Sequence, residues 1–166
     1  MNHAKKLAIA GMLVAMGVAL SPFSIPVGIA QAFPVQHMIN VIGGVILGPV
    51  YAMAMAFATS VIRNMLGTGT LLAFPGSMVG ALMAGLATKY MRGKLLPACV
   101  SELLGTGLLG ALIAYPVAAF ILGREVAMFA FVIPFTASSI TGAAIAFVLL
   151  CVLKRTGIFD EYIGAT

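Results

Sequence analysis

Val35–Leu66 reads VQHMINVIGGVILGPVYAMAMAFATSVIRNML. As one helix this run would extend about 48 Å at 1.5 Å per residue, well beyond a hydrocarbon core of roughly 30 Å. Gly48-Pro49 lies near its middle, and proline removes a backbone donor and clashes with the preceding turn. The run therefore divides into two segments, 35–48 and 49–66. Loop charge supports the division. Apolar runs and their breakers give further segments at 4–20, 76–92, 94–122 and 126–155. With six spans and the N-terminus inside, Lys5, Lys6, Lys89, Arg92, Lys94, Lys154 and Arg155 all face the cytoplasm, and only Arg63 and Arg124 lie outside. With five, the charges at 89–94 and 154–155 would move outside, against the retention of positive loops on the cytoplasmic side.

The composition fits only such an assembly. Of 166 residues, 62% are apolar and 8% charged, with mean hydropathy +1.15. Soluble domains carry about 25% charged residues, so a soluble enzyme and a disordered chain are both excluded. The net charge of +5 marks cytoplasmic loops rather than a nucleic-acid surface. The expected architecture is a single all-α domain over 1–166, multi-pass in a cell membrane, with residues 21–34 and 67–75 outside and both termini inside. Lys5-Lys6 before the apolar run 7–20 has the outline of a signal peptide, but no small-x-small cleavage site precedes Ser21, so the first segment is read as retained. The tail 156–166 is short and polar enough to lie in the cytoplasm.

Catalysis has little to work with. Thr88–Leu95 (TKYMRGKL) approaches a phosphate-binding loop but lacks its first glycine and the Ser or Thr that would hold magnesium. No nucleophile–base pair can be named, and the two histidines lack cysteine or carboxylate neighbours in sequence. Cys99 and Cys151 read as small buried hydrophobes. An enzyme is not expected, nor a cofactor held by this chain.

Polar groups within or beside the membrane are expensive and so point to function. Gln36, His37 and Asn40 open the second segment, and spacings of three and four place Gln36 and His37 on the same helical face as Asn40. Arg63 and Asn64 close the third segment at the same outer level, followed by Thr68, Thr70 and Ser77. A pocket is expected where they converge. Phe33, Phe74, Tyr115 or Phe135 could supply an aromatic wall. Glu102 is the acidic residue deep in a span; it is either an internal partner, with Arg63 one candidate, or a ligand contact at the pocket floor. Gly11-xxx-Ala15-xxx-Ala19, preceded by Ala4-xxx-Ala8, forms a strip of small residues on which another helix can pack closely. Leu13 on the same segment is expected to face lipid. Gly44-xxx-Gly48 and Gly80-xxx-Ala84 read as internal packing.

Phe33–Asn40 (FPVQHMIN), Ile62–Ser77 (IRNMLGTGTLLAFPGS) and Ser101–Gly107 (SELLGTG) resemble the ThiW family, a group of substrate-binding S components of energy-coupling factor (ECF) transporters, over about residues 4–155. The resemblance implies uptake of hydroxyethylthiazole, the thiazole precursor of thiamine. It also implies docking on a membrane T component that couples to two separate ATPase subunits, where ATP is hydrolysed. The docking surface would fall on Gly11, Ala15 and Ala19; a Gly at the first of these departs mildly from the family's usual Ala. Hydroxyethylthiazole is small, neutral and aromatic, and Gln36, His37, Asn40 and Asn64 offer partners for its hydroxyl and ring nitrogen. Thiamine is a cation and would favour carboxylates; Glu102 is the one available. An S component for thiamine or its pyrimidine precursor, and a small channel or assembly subunit, stay open as alternatives.

Overall fold

The computed structural model describes residues 1–28 and 30–156, so most of the polar tail lies outside the described residues. Among them are six helices and one small hairpin. The helices are α1 (His3–Ala19), α2 (Pro34–Leu47), α3 (Pro49–Met65), α4 (Ala73–Tyr90), α5 (Leu95–Ile121) and α6 (Val132–Arg155). Asn2 caps α1 by accepting from Lys5 N at 2.9 Å. Proline opens α2 and α3, where its missing N–H has no partner to lose. Pro75 likewise fits the first turn of α4, which therefore starts three residues before the expected 76. α6 starts later than the expected 126, because Ala127–Val132 closes in turns (Ala130 N to Ala127 O, Val132 N to Phe129 O).

Gly48 separates α2 from α3 at φ +84°, a left-handed conformation that favours glycine. It serves the turn, with open space where a Cβ would stand. Gly44, four residues earlier, serves packing: a Cβ there would lie 2.8 Å from Ala84 Cβ. α2 is the central element. Twelve of its fourteen residues are buried, and it packs against all five other helices. Gly80 brings α4 equally close to α5, since a Cβ there would sit 2.8 Å from Glu102 Oε1. α5 passes through two π-helical stretches, Gly105–Gly110 and Val117–Ile121, the second directly after Pro116.

Residues 21–34, which carry Pro22, Pro26 and Pro34, were expected to connect the first two segments without regular structure. They instead contain an antiparallel pair, β1 (Ile25–Val27) and β2 (Ala30–Ala32), in the register Ile25 to Ala32 and Val27 to Ala30. Pro26 is tolerated because a two-stranded ribbon has only edges.

Polarity is inverted relative to a water-soluble fold. Arg63, Glu102, Asn40, Thr59, Ser60, Thr106 and Ser139 are buried, while Phe120, Ile133, Phe129 and Val50 stand on the outside. Such an extensive exposed apolar surface belongs in contact with lipid. α5 and α6 are each long and apolar enough to cross a membrane by length and composition. α1 turns Leu13 and Gly17 inward and leaves Ala4, Ala8, Gly11, Ala15 and Ala19 exposed. Leu13 is thus a core residue, 8% exposed, not the lipid-facing position expected of it; Met12 and Leu7 take that place. The close approach of α1 to α3 is made at Gly17, where a Cβ would meet Thr59 Cγ2 at 2.9 Å.

Candidate functional site

A cavity of about 440 Å³ opens at the end of the bundle where α1, α3 and α5 finish and α2, α4 and α6 begin. Its wall takes Ser21, Ser24 and Gln31 from the hairpin region, Phe33, Gln36 and His37 from the start of α2, Arg63 from the end of α3, and Thr68 and Thr70 from the following loop. Gly76 and Ser77 of α4, Arg124, and Phe135 and Ser138 of α6 complete it. The basic residues at 5–6, 89–94 and 154–155 belong to the opposite helix ends. There α1 meets α3 through His3 Nδ1 and the Tyr51 hydroxyl, 2.7 Å apart.

Behind the wall lies a continuous polar network. Arg63 is 1% exposed. Its guanidinium carbon stands 4.0 Å from the centroid of the Phe33 ring; Nη1 donates to Gln36 Oε1 at 3.2 Å and Nη2 to Thr68 O at 3.1 Å. Gln36 Nε2 donates to Asn40 Oδ1 at 3.4 Å, and Asn40 Nδ2 to Ser77 O at 3.2 Å and Glu102 Oε1 at 3.5 Å. Arginine can only donate and a carboxylate can only accept. The two ends therefore orient both amides in the same sense, Arg63 to Gln36 to Asn40 to Glu102. The carboxylate is well satisfied: His37 Nδ1 and Thr106 Oγ1 each lie 2.8 Å from Oε1, and Ser139 Oγ donates to Oε2. Four donors offset the cost of burying a charge in a dry interior.

The expected residues thus separate. Phe33, Gln36, His37 and Arg63 meet on the cavity wall, with Phe135. Asn40 and Glu102 are fully buried beneath it. Glu102 pairs with His37 and reaches Arg63 only through two amides, so the direct Arg63 partnership weighed from sequence does not form. Asn64 is turned into its own loop, donating to Ser60 O and Thr70 O. Phe74 packs edge-on against Phe57, with ring centroids 5.7 Å apart, and neither it nor Tyr115 reaches the wall. Both were expected from aromaticity and chain order, which do not specify which way a helix is rotated. Ser138 and Ser139 were missed. Adjacent hydroxyls in the otherwise apolar VIPFTASSITGAA stretch were the available signal; Ser138 accepts Phe33 N at 2.7 Å and Ser139 reaches Glu102.

A family model described as thiamine-precursor transporter protein (ThiW) matches residues 7–156. The chain belongs to the ThiW family. It is accordingly a membrane transport protein of thiamine-precursor type, and the matched range contains all six helices apart from the first turn of α1. No match is found among curated proteins or among solved structures. For a ThiW protein the arrangement is chemically suggestive: two aromatic faces, neutral hydrogen-bonding groups and, among the described residues, no carboxylate on the wall.

Proposed function

We propose that this chain is the substrate-binding membrane subunit of an ECF-type importer for hydroxyethylthiazole. In this reading it crosses the cell membrane six times, keeps both termini in the cytoplasm and opens its cavity outward. Phe33 and Phe135 flank the thiazole ring, while Gln36 and His37 meet its polar atoms. Asn40, Asn64 and Glu102 then act behind the ligand, holding the wall. Gly11, Ala15 and Ala19 form the surface on which the T component docks, and that partner couples the chain to two ATPase subunits. Exposure of all three small residues on α1 supports this role.

The observation that carries the reading is the character of the cavity wall. Its volume lies within the range of about 300–1,000 Å³ typical of small-molecule sites, and Arg63 and Arg124 are its charged groups. A cation such as thiamine would be repelled by this positive charge with no carboxylate to offset it, whereas a neutral aromatic alcohol would not be repelled. Calorimetry on the detergent-solubilised protein tests this. Hydroxyethylthiazole should bind, and thiamine at least about tenfold more weakly, a difference of about 1.4 kcal/mol. Equal or tighter binding of thiamine, or of the pyrimidine precursor, would reassign the substrate. Binding of none of the three would favour a channel or assembly subunit.

A further inference from the structure

We infer that His37 presents an unprotonated Nε2 to the cavity as the acceptor for a hydroxyl on the ligand, and that Glu102 is the positioning residue that sets this tautomer. The inference rests on the cavity being the site of the thiazole alcohol. It adds which ligand atom is recognised, by which ring nitrogen, and why.

Three observations converge. His37 Nδ1 lies 2.8 Å from Glu102 Oε1, and a carboxylate accepts only, so Nδ1 carries the hydrogen. Among the described residues the one buried side-chain nitrogen or oxygen without a partner is Arg63 Nε. Since Nε2 of His37 has no partner among the described residues and is not among their buried orphans, it is accessible, and His37 lines the cavity. The third observation is charge. Within the buried network Arg63 contributes one positive charge and Glu102 one negative, joined through Gln36 and Asn40. A second proton on His37 would leave that network net positive, with Arg124 also on the wall and no carboxylate there to answer it. A neutral His37 balances the interior and leaves a lone pair on Nε2 for a ligand in the cavity.

A lone pair selects for a donor. The only donor in hydroxyethylthiazole is its hydroxyl, because the ring nitrogen and sulfur can only accept. The hydroxyethyl arm must therefore point toward His37 at the floor of the cavity. An ether at that position offers no hydrogen. Glu102 acts on this choice without contact to the ligand.

The chain has two histidines, so a His3→Gln variant isolates His37 for nitrogen-15 spectroscopy in micelles. At neutral pH, Nδ1 should be protonated and Nε2 not, and hydroxyethylthiazole should shift Nε2. A protonated Nε2, as the reversed tautomer or as imidazolium, would overturn the inference whatever the ligand proves to be. In calorimetry on the native protein, the O-methyl ether should bind about tenfold or more weakly than the alcohol. The difference between alcohol and ether should vanish in His37→Ala. It should narrow in Glu102→Gln, whose amide can donate to Nδ1 and stabilise the reversed tautomer. A merely structural Glu102 would weaken both ligands alike. Equal binding of alcohol and ether to the native protein overturns the inference and leaves the proposed substrate standing; binding of no thiazole at all removes the substrate, and the spectrum then decides the tautomer alone.

Discussion

At the scale of single residues, Asn40 and His37 share a helical face yet do different work. His37 touches the cavity. Asn40 is sealed beneath it, and removing its side chain takes one partner each from Gln36 Nε2, Ser77 O and Glu102 Oε1, although Oε1 keeps His37 and Thr106. A buried polar group left unsatisfied costs about 1–3 kcal/mol, so Asn40→Ala should lower the melting temperature in detergent and reduce the monodisperse yield. His37→Ala should act mainly on ligand affinity. Thermal melts and binding isotherms on the two proteins check the division, and an Asn40→Ala protein as stable as the native one would contradict it. The 36, 37, 40 spacing made the shared face legible in the sequence. Which member would meet Glu102 was not, because that depends on the depth and rotation of α5, which lies more than sixty residues away in the chain.

At the scale of elements, α1 divides its small residues between two tasks. Gly17 admits α3 at close range, whereas Gly11, Ala15 and Ala19 are exposed. In lipid, helices associate by close backbone approach rather than by burial from water, so a bulky side chain on that strip should hold a partner helix away while the distant cavity is unaffected. Ala15→Trp should keep ligand affinity within about twofold, well under the 1.4 kcal/mol of a tenfold change, yet lose co-purification with the T component and uptake. Met12→Trp, at a 61% exposed position, is the control that should retain both. Full co-purification of Ala15→Trp would withdraw the docking assignment. The break at Gly48-Pro49 was readable because glycine and proline mark it. The hairpin was not, since three-residue strands containing Pro26 carry no alternation to detect. Nor were the π-helical stretches of α5, which accompany tertiary crowding: a Cβ at Gly110 would meet Gly76 Cα at 2.6 Å, and one at Gly107 would meet the Thr136 hydroxyl at 2.6 Å.

At the scale of the molecule, the cavity and most of the basic residues occupy opposite ends, which gives the six-span orientation a direct test. In a variant free of Cys99 and Cys151, a single cysteine replacing exposed Met91 should resist an impermeant reagent applied to intact cells, whereas one replacing exposed Phe23 should react. Labelling of position 91 from outside would overturn the orientation. The same polarity of ends gives the Gly48 turn a mechanical meaning. α2 and α3 diverge from that single residue and carry Gln36 and Arg63 at their far tips, where one hydrogen bond closes the span between them. The pair behaves as tongs with a fulcrum. α3 is about 25 Å long at 1.5 Å per residue, so a tilt of about 5° at the fulcrum displaces its tip by about 2 Å, while a hydrogen bond survives only a few tenths of an ångström of misfit. Gly85 braces that fulcrum, because a Cβ there would lie 2.6 Å from Pro49 N. The aim of Arg63 at the cavity end of the bundle is thus set by a backbone contact at the opposite end, so the shape of the cavity depends on residues far from it.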